Sequence, residues 1–110
     1  MRSRVFIRIC AASEVLEGEL YRFEVDSKTL LVVRRGVKFV ATSATCTHEE
    51  ADLTLGIFTG KTITCPLHQA KFDLETGSVL KGPNNDSASS ISSLKVYDIK
   101  VQNGDLFADI

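Results

Sequence analysis

The chain has almost no net charge: 13 lysines and arginines face 14 aspartates and glutamates, for a formal charge of −1. Such a balance offers no general attraction for nucleic acid or for an anionic membrane. No stretch approaches the roughly 18 consecutive apolar residues that a membrane-spanning helix needs. The apolar start Val5-Phe6-Ile7 is broken by Arg8 too early for a signal peptide. Long helical periodicity is also absent. With 44% hydrophobic and 25% charged residues the composition is nonetheless ordinary for a folded protein. A length of 110 residues points to a single domain over residues 1–110, with room for a modest core but not for a second catalytic module.

Histidine and cysteine are scarce, and their placement is what stands out. Both histidines and two of the three cysteines fall in two short stretches, Cys46-Thr47-His48 and Cys65-Pro66-Leu67-His68. Each supplies one soft thiolate and one imidazole, donors that suit iron–sulfur clusters and zinc rather than calcium or magnesium. A zinc finger usually pairs Cys with Cys and His with His in separate clips, whereas both clips here are mixed. A lone cysteine or histidine is ordinarily a core or surface residue. Four in two clips, with no histidine left over, point to a metal centre.

Around those clips run Pro66, the segment Phe72-Asp73-Leu74-Glu75-Thr76-Gly77, and Gly82-Pro83. The pattern resembles the Rieske proteins over roughly residues 17 to 110, with the cluster-binding part at about 43–83. The resemblance implies a two-iron, two-sulfide cluster with one iron held by two Cys and the other by two His. By position, Cys46 and Cys65 are then ligands of one iron, and His48 and His68 of the other. It also implies imidazole edges that face solvent and couple electron transfer to proton transfer. Members of the respiratory branch have a bracing disulfide between the two loops, but Ala51 and Leu67 stand at the corresponding positions. They also have Ser and Tyr hydroxyls donating to sulfur, where this chain has Ala70 and Phe72. Without these donors, and with Glu49, Glu50 and Asp52 beside the first clip, the resemblance implies a low-potential Rieske-type ferredoxin. Cys10 then has no cysteine left to pair with, and a reducing cytoplasm is the expected location.

The remaining sequence reads as short strands. Residues 4–10 alternate as a strand, and Ser13 is placed to cap a single helical turn. Leu20 to Val25 alternates in the same way. Leu30 to Arg34 and Val37 to Thr42 flank an Arg35-Gly36 break suited to a hairpin. Gly56 to Thr62 superficially suggests a phosphate-binding loop, but it has three residues between its glycines instead of four and leads into a β-branched run. A glycine turn feeding a strand fits better. Ala70–Asp73 and Val79-Leu80 are strand segments, and residues 84–93 are expected to form a mobile loop. Tyr97, Ile99 and Val101 alternate, and Asn103-Gly104 leads into the strand 106–110. Roughly nine strands make the expected fold all-β. Small antiparallel sheets would form a sandwich or partial barrel, with the two cluster-binding loops at one end.

The leading functional expectation is a one-electron carrier, not an enzyme, that takes electrons from a reductase and passes them to a terminal oxidoreductase. It is expected to be a monomer with redox proteins as partners. One alternative makes the chain the Rieske component or small subunit of an oxygenase or nitrite reductase. Any mononuclear iron would then lie on another polypeptide, because no histidine is spare. A zinc-stabilised interaction module is the remote alternative.

Overall fold

The computed structural model describes residues 5–46, 51–66, 69–82 and 91–110. Three antiparallel sheets account for most of them. Strands β2 (Leu20–Val25), β3 (Lys28–Arg35), β4 (Lys38–Ser43) and β9 (Val96–Tyr97) form the first, in the order β2-β3-β4-β9. The second, in the order β5-β6-β7-β8, comprises β5 (Ile57–Thr59), β6 (Thr62–Thr64), β7 (Lys71–Asp73) and β8 (Val79–Lys81). The third places β11 (Asp105–Asp109) between β1 (Phe6–Ala11) and β10 (Ile99–Gln102). The all-β expectation holds, with eleven strands among the described residues.

Strand β3 explains why the sheets assemble this way. Its centre, Leu30-Leu31-Val32-Val33, is a continuous apolar run, and all four side chains are fully buried. An unbroken run of this kind suits a strand covered on both faces. Leu31 and Val33 pack into a core with Leu53, Ile63, Phe72 and Leu74 from the β5–β8 side. Leu30 and Val32 pack into a separate core with Cys10, Val15, Leu106 and Ala108. The first sheet therefore carries a core on each face, and only one of the two contains the clip cysteines.

Local turn chemistry matches the chain at two hairpins. Asp26-Ser27 has φ of 50° and 68°, and Asn103-Gly104 has φ of 52° and 79°. Both central residues are left-handed in each, as a tight two-residue hairpin turn requires. Three local expectations need correction. The β3–β4 turn is Gly36-Val37 instead of Arg35-Gly36, because Arg35 pairs with Lys38. The side-chain acceptor at the first 3₁₀ turn (Ala12–Glu14) is Glu14, not Ser13, and its Oε2 accepts Ala11 N–H at 3.0 Å. The alternating run from Tyr97 to Val101 is two strands, since the chain leaves the first sheet after Tyr97 and joins the third at Ile99. Of the loop expected at 84–93, residues 84–90 lie outside the described residues.

Candidate metal centre

Each clip is mounted on the end of a strand by the same backbone device. After β4 the chain reaches Thr45-Cys46, and Cys46 N–H donates to the Ala51 carbonyl at 2.9 Å. After β6 it reaches Cys65, whose N–H donates to the Ala70 carbonyl at 2.7 Å. Thr45 bridges Asp52 in antiparallel fashion, as Thr64 pairs with Lys71. Both clips are thus seven-residue stretches that begin Thr-Cys and end at Ala, with one hydrogen bond from the Cys N–H to the Ala carbonyl. This repeat was visible in the sequence as T-C-x-H-x-x-A beside T-C-P-x-H-x-A, though only its Cys and His positions were singled out there.

Both cysteines lie in one core. Cys46 is 3% and Cys65 1% exposed, and they share a cluster with Ala44, Ala51, Leu53, Ile63, Ala70 and Phe72. What separates them from the equally buried Cys10 is that the two share one core, as a pair of thiolates on one soft metal centre would. His48 and His68 lie outside the described residues, as do Glu49, Glu50, Leu67 and Pro83. Cys10 is separate. It sits on β1 in the other core, where burial pushes its thiol pKa upward, as expected of an unreactive structural cysteine.

The two clips are tied to each other through Gly56. A 3₁₀ turn, Leu53–Leu55, follows the first clip, with Leu53 N–H donating to the Ala44 carbonyl at 2.8 Å. It ends at Gly56, packed so closely on β6 that an added Cβ would lie 2.1 Å from the Thr64 carbonyl oxygen. Thr64 immediately precedes Cys65. The exit of one clip thus rests on the entry of the other, and only glycine leaves the space.

Asp52 plays a structural part that its place in an acidic segment did not reveal. One carboxylate oxygen accepts Thr54 N–H at 2.9 Å and the Thr54 hydroxyl at 2.6 Å, capping the turn. The other accepts from Arg22 Nη1 on β2 at 3.0 Å. Burial alone would raise its pKa, but the Thr54 and Arg22 contacts together outweigh it and hold the carboxyl below its ordinary value. Asp52 is therefore an anchor whose charge Arg22 offsets, and not, as expected from the sequence, one of three free negative charges beside the first clip. Asp52→Ala is expected to cost about 1–2 kcal/mol near neutral pH through the lost cap and ion pair. Because the folded-state pKa is lowered, this contribution is present above the unfolded value of about 3.9 and is lost as pH falls through the folded one. Denaturant melts of both proteins at pH 7 and pH 3 should show the gap narrowing in acid.

Residues 5–98 match the family model described as the Rieske [2Fe-2S] domain. The chain belongs to the Rieske family. The match begins earlier and ends sooner than the span of about 17 to 110 read from the motifs, because it takes in β1 and stops before β10. This Rieske domain is 32% identical over 105 residues to the ferredoxin component of the naphthalene 1,2-dioxygenase system of Pseudomonas putida, covering 96% of the chain and 95% of that protein. Its fold matches the ferredoxin of carbazole 1,9a-dioxygenase from Nocardioides aromaticivorans IC177 with a TM-score of 0.81 and 28% identity, over 94% of this chain and 96% of that one. A ferredoxin captured with its oxygenase in carbazole 1,9a-dioxygenase matches at 0.79 and 31%, over 97% and 94%. The cofactor is a Rieske-type [2Fe–2S] cluster, and the zinc-module alternative is set aside. The protein is a Rieske-type ferredoxin, a one-electron carrier that works with redox partner proteins and is not itself the catalyst. Among the described residues no helix is long and apolar enough to cross a membrane.

Proposed function

We propose that Cys46 and Cys65 hold one iron of the cluster and His48 and His68 the other, and that the protein delivers electrons to the oxygenase of a cytoplasmic aromatic-ring dioxygenase system. The observation that carries the ligand reading is the matched closure of the two clips, each presenting its cysteine to the same buried core. The oxygenase reading rests on relatives of nearly equal length that serve naphthalene and carbazole dioxygenases. In this reading residues 1–110 form a single Rieske-type domain, with residues 43–83 as its cluster-binding part. When bound, the cluster supplies a site that accepts and releases one electron. The chain's residues supply the ligands, the dry surroundings of the sulfurs, and the rigid strands that fix both clips.

Stopped-flow mixing tests the assignment to an oxygenase. The dithionite-reduced protein should be reoxidised rapidly by the oxidised oxygenase component of a naphthalene or carbazole dioxygenase system. Reoxidation no faster than in buffer with both would reject that assignment.

The same surroundings set the potential low. Ala70 and Phe72 are fully buried in the core that holds both cysteines, and neither side chain can donate a hydrogen bond. Hydroxyl donors to sulfur favour the more negative reduced state. Ala70→Ser and Phe72→Tyr should therefore each raise the potential by some tens of millivolts, the differential part of a charge-assisted bond of about 1.5–3 kcal/mol. Voltammetry at constant pH decides the point. Shifts of zero or below in both variants, with unchanged spectra, would mean that missing donors do not set the potential.

A further inference from the structure

The β5–β8 sheet has two faces of opposite character. Its inner row, Phe58, Ile63, Phe72 and Val79, packs into the core that holds the clip cysteines. The outer row nearest the clips runs Ile57, Thr64, Lys71, Lys81 across four strands, each residue directly opposite the next. Ile57 is 68% exposed, and Leu55 just before it is 75% exposed. Together with Pro66 and Cys65 they border an open depression of about 480 Å³ beside the second clip. Single exposed aliphatic residues occur elsewhere on the surface, but here two lie side by side as a small apolar patch at the edge of the second clip.

The basic half of the row is unfavourable for folding. Lys71 and Lys81 are brought opposite each other by a bulge that leaves Leu80 as the extra residue on β8. Like charges directly opposite on neighbouring strands are destabilising. Among the described residues no carboxylate lies within ion-pair distance of either lysine; the same holds for Lys28, Lys61, Lys95 and Lys100, so what sets Lys71 and Lys81 apart is their placement directly opposite each other. A cationic pair next to an exposed aliphatic ledge, on the wall of the second clip, is a surface complementary to carboxylates flanking an apolar side chain.

We propose that this outer face of the β5–β8 sheet is the docking surface for an acidic redox partner protein. The partner's carboxylates meet Lys71 and Lys81, and its apolar side chain seats on Leu55 and Ile57. Contact here places the partner against the wall of the Cys65 clip, so the inference rests on that clip holding the cluster. The lysine pair steers and orients the encounter, and the aliphatic ledge supplies contact that salt does not weaken.

Two protein probes of opposite charge test this with the intact holoprotein. The first is a reduced acidic plant-type ferredoxin, whose potential lies below the Rieske range so that transfer is downhill. The second is basic cytochrome c as acceptor. In stopped-flow at low ionic strength, Lys71→Glu/Lys81→Glu should slow transfer from the acidic probe about tenfold, whereas Lys61→Glu/Lys100→Glu, with the same change of net charge elsewhere, should change it much less. Cytochrome c should be reduced faster by the first variant. At high salt the lysine effect should shrink, while Leu55→Ser/Ile57→Ser should still slow the acidic probe. Equal effects of the two lysine pairs, or no salt-resistant effect of the aliphatic pair, would overturn the proposal. The visible spectrum of each variant is recorded first, and Lys71→Gln/Lys81→Gln replaces the charge-reversed pair if that pair fails to fold. A cluster that survives replacement of His48 or His68 would instead count against the ligand assignment, independently of these rates.

Discussion

His48→Ala and His68→Ala are each expected to give protein without the Rieske spectrum, with iron and acid-labile sulfide falling from about two of each per chain to near zero. The effect is close to all-or-none because a ligand set of two thiolates and two imidazoles has no redundancy, and the sequence has no third histidine to substitute. A removed imidazole leaves one iron open to water and to hydrolytic loss. Cys46→Ser and Cys65→Ser should fail in the same way, since a buried hydroxyl is a poor replacement for a thiolate at soft iron. Cys10→Ser is the internal control. Its thiol lies in the opposite core, with its pKa raised by burial, so cluster content should be unchanged. Iron and sulfide assays with visible absorption and circular dichroism read all five proteins. A full cluster in both histidine variants, or its loss in Cys10→Ser, would show the ligand assignment to be wrong.

Gly56→Ala should produce a large loss of stability for a single added methyl. An added Cβ meets the Thr64 carbonyl oxygen at 2.1 Å and the Leu53 carbonyl oxygen at 3.1 Å. Neither obstacle is a flexible side chain that can swing aside. Relief requires the 3₁₀ turn after the first clip and strand β6 before the second to separate, and overpacking of this kind costs about 1–3 kcal/mol. For a domain of this size about 2 kcal/mol corresponds to a fall in Tm of roughly 8–16 °C. Because the strained contact links the two clips, cluster retention should suffer with stability, in contrast to Asp52→Ala, which loosens one clip only. Thermal melts of the holoprotein followed at a cluster absorption band and by circular dichroism measure both effects together. A melting temperature within a degree or two of wild type would mean that the two clips are not held in register at Gly56.

Position 56 also illustrates how far the sequence reaches. A glycine turn was legible there, but its reason was not, because the atom that forbids a side chain belongs to Thr64, eight residues on in sequence. The acidic segment after His48 reads as a rim of like charges until Arg22, thirty residues upstream, is seen to neutralise Asp52.

What the sequence determined by itself was whatever is local in its physics. Thiolate and imidazole in mixed clips point to a soft metal cluster, because donor preference belongs to the side chains themselves. Alternation with period two yields strands, and Asp-Ser and Asn-Gly between them yield tight turns, because side-chain direction and φ preference act within a few residues. The tertiary structure alone decided what depends on pairing across the chain. It buried β3 on both faces, moved the chain between sheets at Asp98, and set Gly56 against Thr64. It also set Lys71 opposite Lys81 through a bulge at Leu80. Register, and with it which face a side chain joins, follows from long-range strand pairing and the competition for a common core.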